Sequence, residues 1–141
     1  METIIGKEFP KKVIPLIDKA KSSIKIIVFD WRFHDKDMAS SIQLFNQSII
    51  RAARRGVKIQ VLTNNENIAQ LLKNFGIEVR VLHSKKLVHA KLMIIDDYFF
   101  ILGSHNYSFN AFENNLEVSL ILDNHKELKL LIDYFNMLWQ F

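Results

Sequence analysis

Three short runs rich in branched aliphatic residues, Ile24–Phe29, Val57–Leu62 and Ile77–Leu82, alternate with segments of helical apolar spacing. Strands separated by helices and short connections have few ways to assemble. The expected result is a parallel sheet with right-handed crossovers. The helix before the first run is read over about 10–21, with Val13, Leu16, Ile17 and Ala20 on one stripe. A longer helix over about 38–55 carries Met38, Ile42, Phe45 and Ile49 at helical spacing, and Asp37 is its expected N-cap. It ends at Arg54-Arg55-Gly56, where cations in the last turn and a glycine just past it suit a helix terminus. A shorter helix over about 66–75 ends at Gly76 in the same way.

After Leu82 the rhythm changes. His83-Ser-Lys-Lys86 is a polar link, and two apolar strands at 88–95 and 99–103 follow, joined through Asp96, Asp97 and Tyr98. An asparagine-rich loop over 104–115 leads to a last strand, Leu116–Leu122. Asp123 or Asn124 is positioned to cap a C-terminal helix. That helix is apolar nearly all round, so it is expected to be buried on two sides or to meet another subunit. Residues 1–6 are read as an edge strand. The fold class expected is α/β, a mixed sheet flanked by helices, forming one domain over residues 1–141.

Composition narrows the function classes. The 141 residues are 49% hydrophobic and 24% charged, which is globular rather than disordered. No cysteine is present, so disulfides and thiolate metal sites are excluded. The N-terminus lacks a signal-peptide pattern, and no apolar run approaches the roughly 20 residues of a bilayer span. A cytoplasmic location is the resulting expectation. A formal charge of +4 leans mildly towards polyanionic partners.

The chemistry concentrates in His89–Asn106. Val88–Ile95 is apolar except at His89 and Lys91, which share a face if the segment is a strand. A lysine there needs an anion, because an unpaired buried ammonium is costly. Strand register decides what joins the pair. A hairpin loop of even length brings Ser104 and Asn106 onto the face of His89 and Lys91. A three-residue loop sends them to the other side. Gly103 permits close approach of a backbone or a ligand. Glu117 needs a donor, for which a histidine is the obvious candidate. Lysine, serine and asparagine donors can hold an oxyanion, and histidine can serve as nucleophile or as general acid and base. One histidine and one lysine make a poor metal site, so no metal or other cofactor is expected.

The pattern His89-x-Lys91-x4-Asp96-x6-Gly103-Ser104-x-Asn106 resembles the HKD signature of the phospholipase D superfamily, and the resemblance extends to Glu117. In size the chain is similar to the small single-motif bacterial endonucleases of that family. The resemblance implies a metal-independent phosphodiesterase working through a covalent phosphohistidine at His89. Lys91, Ser104 and Asn106 would hold the non-bridging oxygens, Glu117 would contact the histidine, and Asp96 would orient the turn. Two motifs build one such site, and this chain carries one. His34, His83, His105 and His125 lack the accompanying Lys and Asn pattern. The resemblance therefore implies a homodimer, with His89 of a second copy as the acid and base.

A nuclease acting on DNA or RNA with low sequence specificity is the leading reading. A phospholipase or cardiolipin hydrolase is the enzymatic alternative, and the lack of an amphipathic membrane anchor counts against it. A non-catalytic nucleic-acid-binding module is the alternative of another class. Arg51, Arg54 and Arg55 are read as helix-terminal cations before backbone-tracking ones, and His83, Lys85 and Lys86 as a solvated loop before a phosphate contact. Asp30, Asp35 and Asp37 resemble a metal cluster only in composition. Trp31 and Arg32 follow the first strand of the parallel set, where packing and a role at the substrate rim are both open.

Overall fold

The alternation of strands and helices is realised in a computed structural model that describes residues 1–33 and 37–141. The expectations attached to His34 and Asp35 fall outside the described residues. Seven strands form one mixed sheet: β1 (Glu2–Ile5), β2 (Ser23–Ile27), β3 (Lys58–Thr63), β4 (Glu78–Val81), β5 (Leu92–Ile95), β6 (Phe99–Gly103) and β7 (Val118–Asp123). Their spatial order is β1-β7-β6-β5-β2-β3-β4. β2, β3 and β4 pair in parallel, as the crossovers require, while β5, β6, β7 and β1 continue the sheet antiparallel from β2.

Helices α1 (Glu8–Asp18), α2 (Ser41–Arg54), α3 (Glu66–Lys73) and α4 (Phe109–Glu113) contribute to a core on one face. It gathers Val13 and Ile17, Phe45 and Ile49, and Leu72 and Phe112 against Ile24, Ile26, Met93 and Ile101. Helix α5 (Lys129–Trp139) covers the other face with Phe135, Leu131 and Leu138 over Ile27, Ile94 and Phe100. The molecule has three layers. Alternate residues of β5 feed the two cores, which is why Leu92–Ile95 is buried at every position.

The helix boundaries differ from the sequence reading at their polar ends. The N-cap of α2 is Ser40, whose hydroxyl accepts from the Gln43 N–H; Asp37 instead accepts from the Ala39 N–H in the preceding turn. Gly56 follows α2 at φ +92°, the left-handed conformation that a glycine adopts without penalty. Arg51 and Arg55 contribute to the fold: Arg51 grips the Asp18 carboxylate, and Arg55 donates to the Ile17 and Ala20 carbonyls, binding α2 to the end of α1. At the C-terminal helix the expected Asp123 or Asn124 cap is replaced by His125, whose Nδ1 accepts from the Glu127 N–H in a 3-10 turn before α5. The outward stripe of α5, Leu130, Tyr134 and Met137, is exposed, so one side of this helix is packed rather than two.

The β5–β6 hairpin is closed by the three residues Asp96, Asp97 and Tyr98, with Ile95 paired to Phe99. Asp96 and Asp97 both take positive φ, which aspartate tolerates better than most residues. The Asp96 carboxylate accepts from the N–H groups of Lys21, Ser22 and Ser23 and from the Ser22 hydroxyl. Burial works against its charge, but the donors at Ser22, Lys21 and Ser23 outweigh it and hold the carboxyl below its usual range.

An Asp96→Asn substitution should therefore destabilise the fold by about 1–3 kcal/mol at neutral pH, the scale of charge-assisted hydrogen bonds lost from a part-buried site. Because the folded-state value is depressed, this stabilisation is complete above the ordinary carboxylate value of 3.8 and disappears as pH falls through the lowered one. Urea unfolding of both proteins at pH 7 and at pH 3 should show the difference shrinking in acid.

Candidate active site

One end of the sheet collects the polar residues. β2 ends at Ile27 and leads to Phe29-Asp30, β5 begins just after Lys91, β6 ends at Gly103 and β7 begins just after Glu117, all at the same end of the sheet. Loops at the carboxyl ends of parallel strands are the usual place for a ligand in such a sheet.

The shared-face expectation for the hairpin is corrected here. With a three-residue loop, Lys91 stands opposite Gly103, and strict alternation would separate Ser104 and Asn106 from His89 and Lys91. β5 is also shorter than expected, beginning at Leu92, so His89 and Lys91 lie in an irregular approach rather than in the strand. The convergence has another cause. Beyond Gly103 the chain follows β7, with the Ser104 N–H on the Val118 carbonyl at 3.0 Å, and then crosses to β2. There the Asn106 side-chain oxygen accepts the Asp30 N–H at 3.0 Å. Gly103 is required for this path, since a Cβ would collide with Ser119 and the Val118 carbonyl. The close approach is by backbone.

His89 is exposed and sits against the Phe29 ring, 5.2 Å between centroids. Lys91 Nζ lies 3.3 Å from both ring nitrogens of His89 and 5.8 Å from the Phe29 centroid. An ammonium only donates, so whichever ring nitrogen takes this contact is the acceptor. Burial lowers the Lys91 pKa, and the nearby Glu117 carboxylate partly restores it. A lysine in this state gains from a bound anion.

Glu117 is placed differently from the expectation. Its Oε1 accepts the Ser104 hydroxyl at 2.6 Å and its Oε2 the Asn115 amide at 3.2 Å, and it makes no hydrogen bond to His89. It thus stands behind Ser104 and in the field of Lys91. For Ser104 to donate to a phosphate, its proton must turn away from Glu117. Asp96 is not brought to the site; it lies at the far end of β5, as the clamp described above. Among the described residues no group of three or more His, Asp or Glu side chains is arranged to hold a metal ion.

His105, the variable position between Ser104 and Asn106, proves to be structural. It is 1% exposed, its ring tilted against Phe9 at 4.6 Å between centroids, and bridges Ser119 Oγ (2.7 Å) and the Gly6 carbonyl (2.9 Å). A carbonyl only accepts, so Nε2 carries the proton and Nδ1 accepts from Ser119. This joint ties β6, β7 and the turn after β1 directly beneath Ser104.

The neighbouring loop expectations also resolve. Trp31 is fully buried, its indole N–H on Asn46 at 2.7 Å, whereas Arg32 is exposed. His83 rests against Glu66 at 3.6 Å in a solvated pair. Two depressions flank the cluster. A groove of ≈ 850 Å³ runs from His89 past Leu87 and Val88 to Tyr134, Met137 and Leu138 of α5. A cavity of ≈ 670 Å³, with polar residues in the majority of its lining, opens on the side of Asn106 and Asn115. Helix α4, which forms part of its wall, lies inside the segment 104–115 that the sequence pattern assigns to a loop. Its one signal was Ser108, whose hydroxyl caps the Ala111 N–H.

A histidine, a lysine, a serine and an asparagine brought to one open sheet edge, on this strand order, define a phospholipase D-like domain. The family model described as "Cardiolipin synthase, PLD-like domain" matches residues 13–139, and the chain belongs to that family. It is 26% identical to the mitochondrial cardiolipin hydrolase of Canis lupus familiaris over 96% of this chain and 52% of the relative. It is 29% identical to that of Mus musculus over 86% of this chain and 53% of the relative. The chain thus spans about half the length of these curated relatives. Among solved structures, NucT from Helicobacter pylori superposes with a TM-score of 0.81 at 25% identity, covering 99% of this chain and 94% of that one. Nuc from Salmonella typhimurium, a phospholipase D family member, gives the same TM-score at 20% identity, which speaks for the fold.

Burial lowers the His105 pKa below the ordinary 6.5, with the Gly6 hydrogen bond and Glu117 opposing it. Between the folded and unfolded values the unfolded chain binds more protons, so stability rises with pH up to about 6.5 and falls below it. Thermal melts across pH 5–8 should show this slope in the wild type. A His105→Gln variant should melt lower and with a flatter dependence.

Proposed function

We propose that this protein is a metal-independent phosphodiesterase, most directly a nuclease of low sequence specificity, working through a phosphohistidine at His89. The observation that carries the reading is the cluster itself. An exposed imidazole touches an ammonium whose charge burial disfavours, with Ser104 and Asn106 at the same edge. A ring nitrogen of His89 forms the N–P bond as the P–O bond to the leaving group breaks. Lys91 and Asn106 hold the non-bridging oxygens, joined by Ser104 once its hydroxyl turns from Glu117. A second histidine gives its proton to the leaving oxygen. It then takes one from the water whose oxygen displaces the imidazole nitrogen. In this chain that histidine is His89 of a second copy, so the active species is a homodimer around a two-fold axis near the site.

Nucleic acid is favoured as substrate by the net charge of +4 and the open position of His89. One observation favours phospholipid instead: the largely apolar groove that begins at His89 and runs along α5. No helix among the described residues is long and apolar enough to cross a membrane.

His89→Ala should lower diester hydrolysis by at least about 10³-fold while leaving nucleic-acid binding measurable. Acid-quenched wild type incubated with ³²P-labelled substrate should carry acid-labile label, absent from the variant. Undiminished turnover by pure His89→Ala protein would sink the proposal, as would complete inhibition by excess EDTA. Plasmid, single-stranded RNA and cardiolipin vesicles assayed side by side separate the substrate classes. Light scattering showing a fully active monomer would overturn the shared site.

A further inference from the structure

The cavity on the Asn106 side is joined to the cluster at two points. Asn106 lines it directly, and Asn115, which also lines it, holds the Glu117 carboxylate. Its other polar walls include Asp30, Arg32, Asp37 and Ser40, so Arg32 is the cation among its described lining residues.

Arg32 is unusually well fixed for an exposed arginine. Its N–H donates to the Tyr107 carbonyl at 2.8 Å, and its carbonyl accepts from the Asn46 amide at 3.0 Å. Asn46 is itself fully buried and bonded to the Trp31 indole. The side chain is held as well, Nε donating to Asp30 Oδ1 at 2.9 Å, yet it remains 61% exposed. Asp30 links the two groups, its carboxylate on Arg32 and its N–H on the Asn106 side chain. Asp30 and Asp37 both place negative charge around the cavity; the first is paired with Arg32, and the second accepts from the Ala39 N–H. The terminal nitrogens of the guanidinium make no hydrogen bond among the described residues, and a planar fork of this kind matches a phosphate.

We propose that Arg32 and this cavity form a second phosphate subsite, which takes the phosphodiester next to the scissile one. The inference rests on the reading that His89, Lys91 and Asn106 hold the scissile phosphate. The ligand chemistry is two phosphodiesters in tandem, joined by a short polyol. A polynucleotide strand supplies it, and so does a lipid with two phosphates bridged by glycerol. A substrate with one phosphate leaves the subsite empty.

The test compares kcat and KM of wild type, Arg32→Gln and Arg32→Lys on matched pairs. One pair is a dinucleoside monophosphate and a trinucleoside diphosphate; the other is phosphatidylglycerol and cardiolipin in vesicles. Wild type should favour the two-phosphate member of the pair it uses. Arg32→Gln should reduce that preference about tenfold, chiefly through KM, the scale of one charged hydrogen-bonding contact at a wet site. Arg32→Lys should keep part of it, which also guards against a folding defect in the glutamine variant. The pair that responds names the source. An unchanged preference in both variants overturns the subsite, as does an equal loss on one-phosphate and two-phosphate members. Failure of the wild type to hydrolyse any of the four compounds would instead refute the diesterase reading itself.

Discussion

The seam between β2 and β5 is the constraint on which the rest depends. It joins two halves of different logic: a parallel half built by helical crossovers and an antiparallel half built by turns. At one end of the seam the Asp96 carboxylate gathers the N–H groups of Lys21, Ser22 and Ser23, fixing where β5 ends against the start of β2. At the other end β5 begins at Leu92, leaving His89 and Lys91 against Phe29 at the mouth of β2. A slip by one residue along this seam would exchange the two faces of β5 and destroy both cores at once. The placement of the histidine is therefore secured by aliphatic packing it takes no part in.

The polar residues of the site are held by a different kind of bond. Ser104, Asn106 and Glu117 lie where ladder pairing has ended, and each is positioned by one or two specific hydrogen bonds: Ser104 to Glu117 and Val118, Asn106 to the Asp30 N–H, Glu117 to Asn115. His105 stabilises this region from beneath, inside the core. A rigid sheet supplies the platform, and short polar links at its rim set the donors. Donors held before the substrate arrives need little reorganisation in the reaction, which is where such sites gain most of their rate.

Much of this was legible in the sequence because periodicity survives folding. The three parallel strands, the helices between them and the glycine after Arg55 all follow from local spacing and terminal chemistry. The candidate residues were named from their types and spacing, whereas the even-length hairpin that would bring them to one face is not the one the chain forms. Loop length in a hairpin depends on whether aspartate accepts positive φ at two successive positions, and Asp96 and Asp97 do. That preference is weak in sequence and decisive in register. Glu117 was expected at the histidine because its need for a donor is plain, whereas the identity of the donor depends on the β6–β7 pairing, which puts Ser104 beside it. Helix α4 is five residues long, too short for an apolar stripe to declare it.

The two depressions beside the cluster bear on substrate in opposite ways, and their position matters more than their size. A site for polynucleotides needs donors and charge along the direction of the strand; a site for diacyl lipids needs an apolar surface beginning at the nucleophile. The Asn106 side presents mainly polar residues, with Arg32 beside Asp30 and Asp37, and the His89 side a largely apolar groove. In a two-fold assembly that shares one site, each chain would bring both surfaces to it, so the substrate would meet each kind twice. On the proposed reading, discrimination would not come from the cluster, whose groups address the phosphodiester itself. It would fall to the flanks, where the Arg32 guanidinium borders one depression and an exposed aliphatic and aromatic stripe of α5 the other.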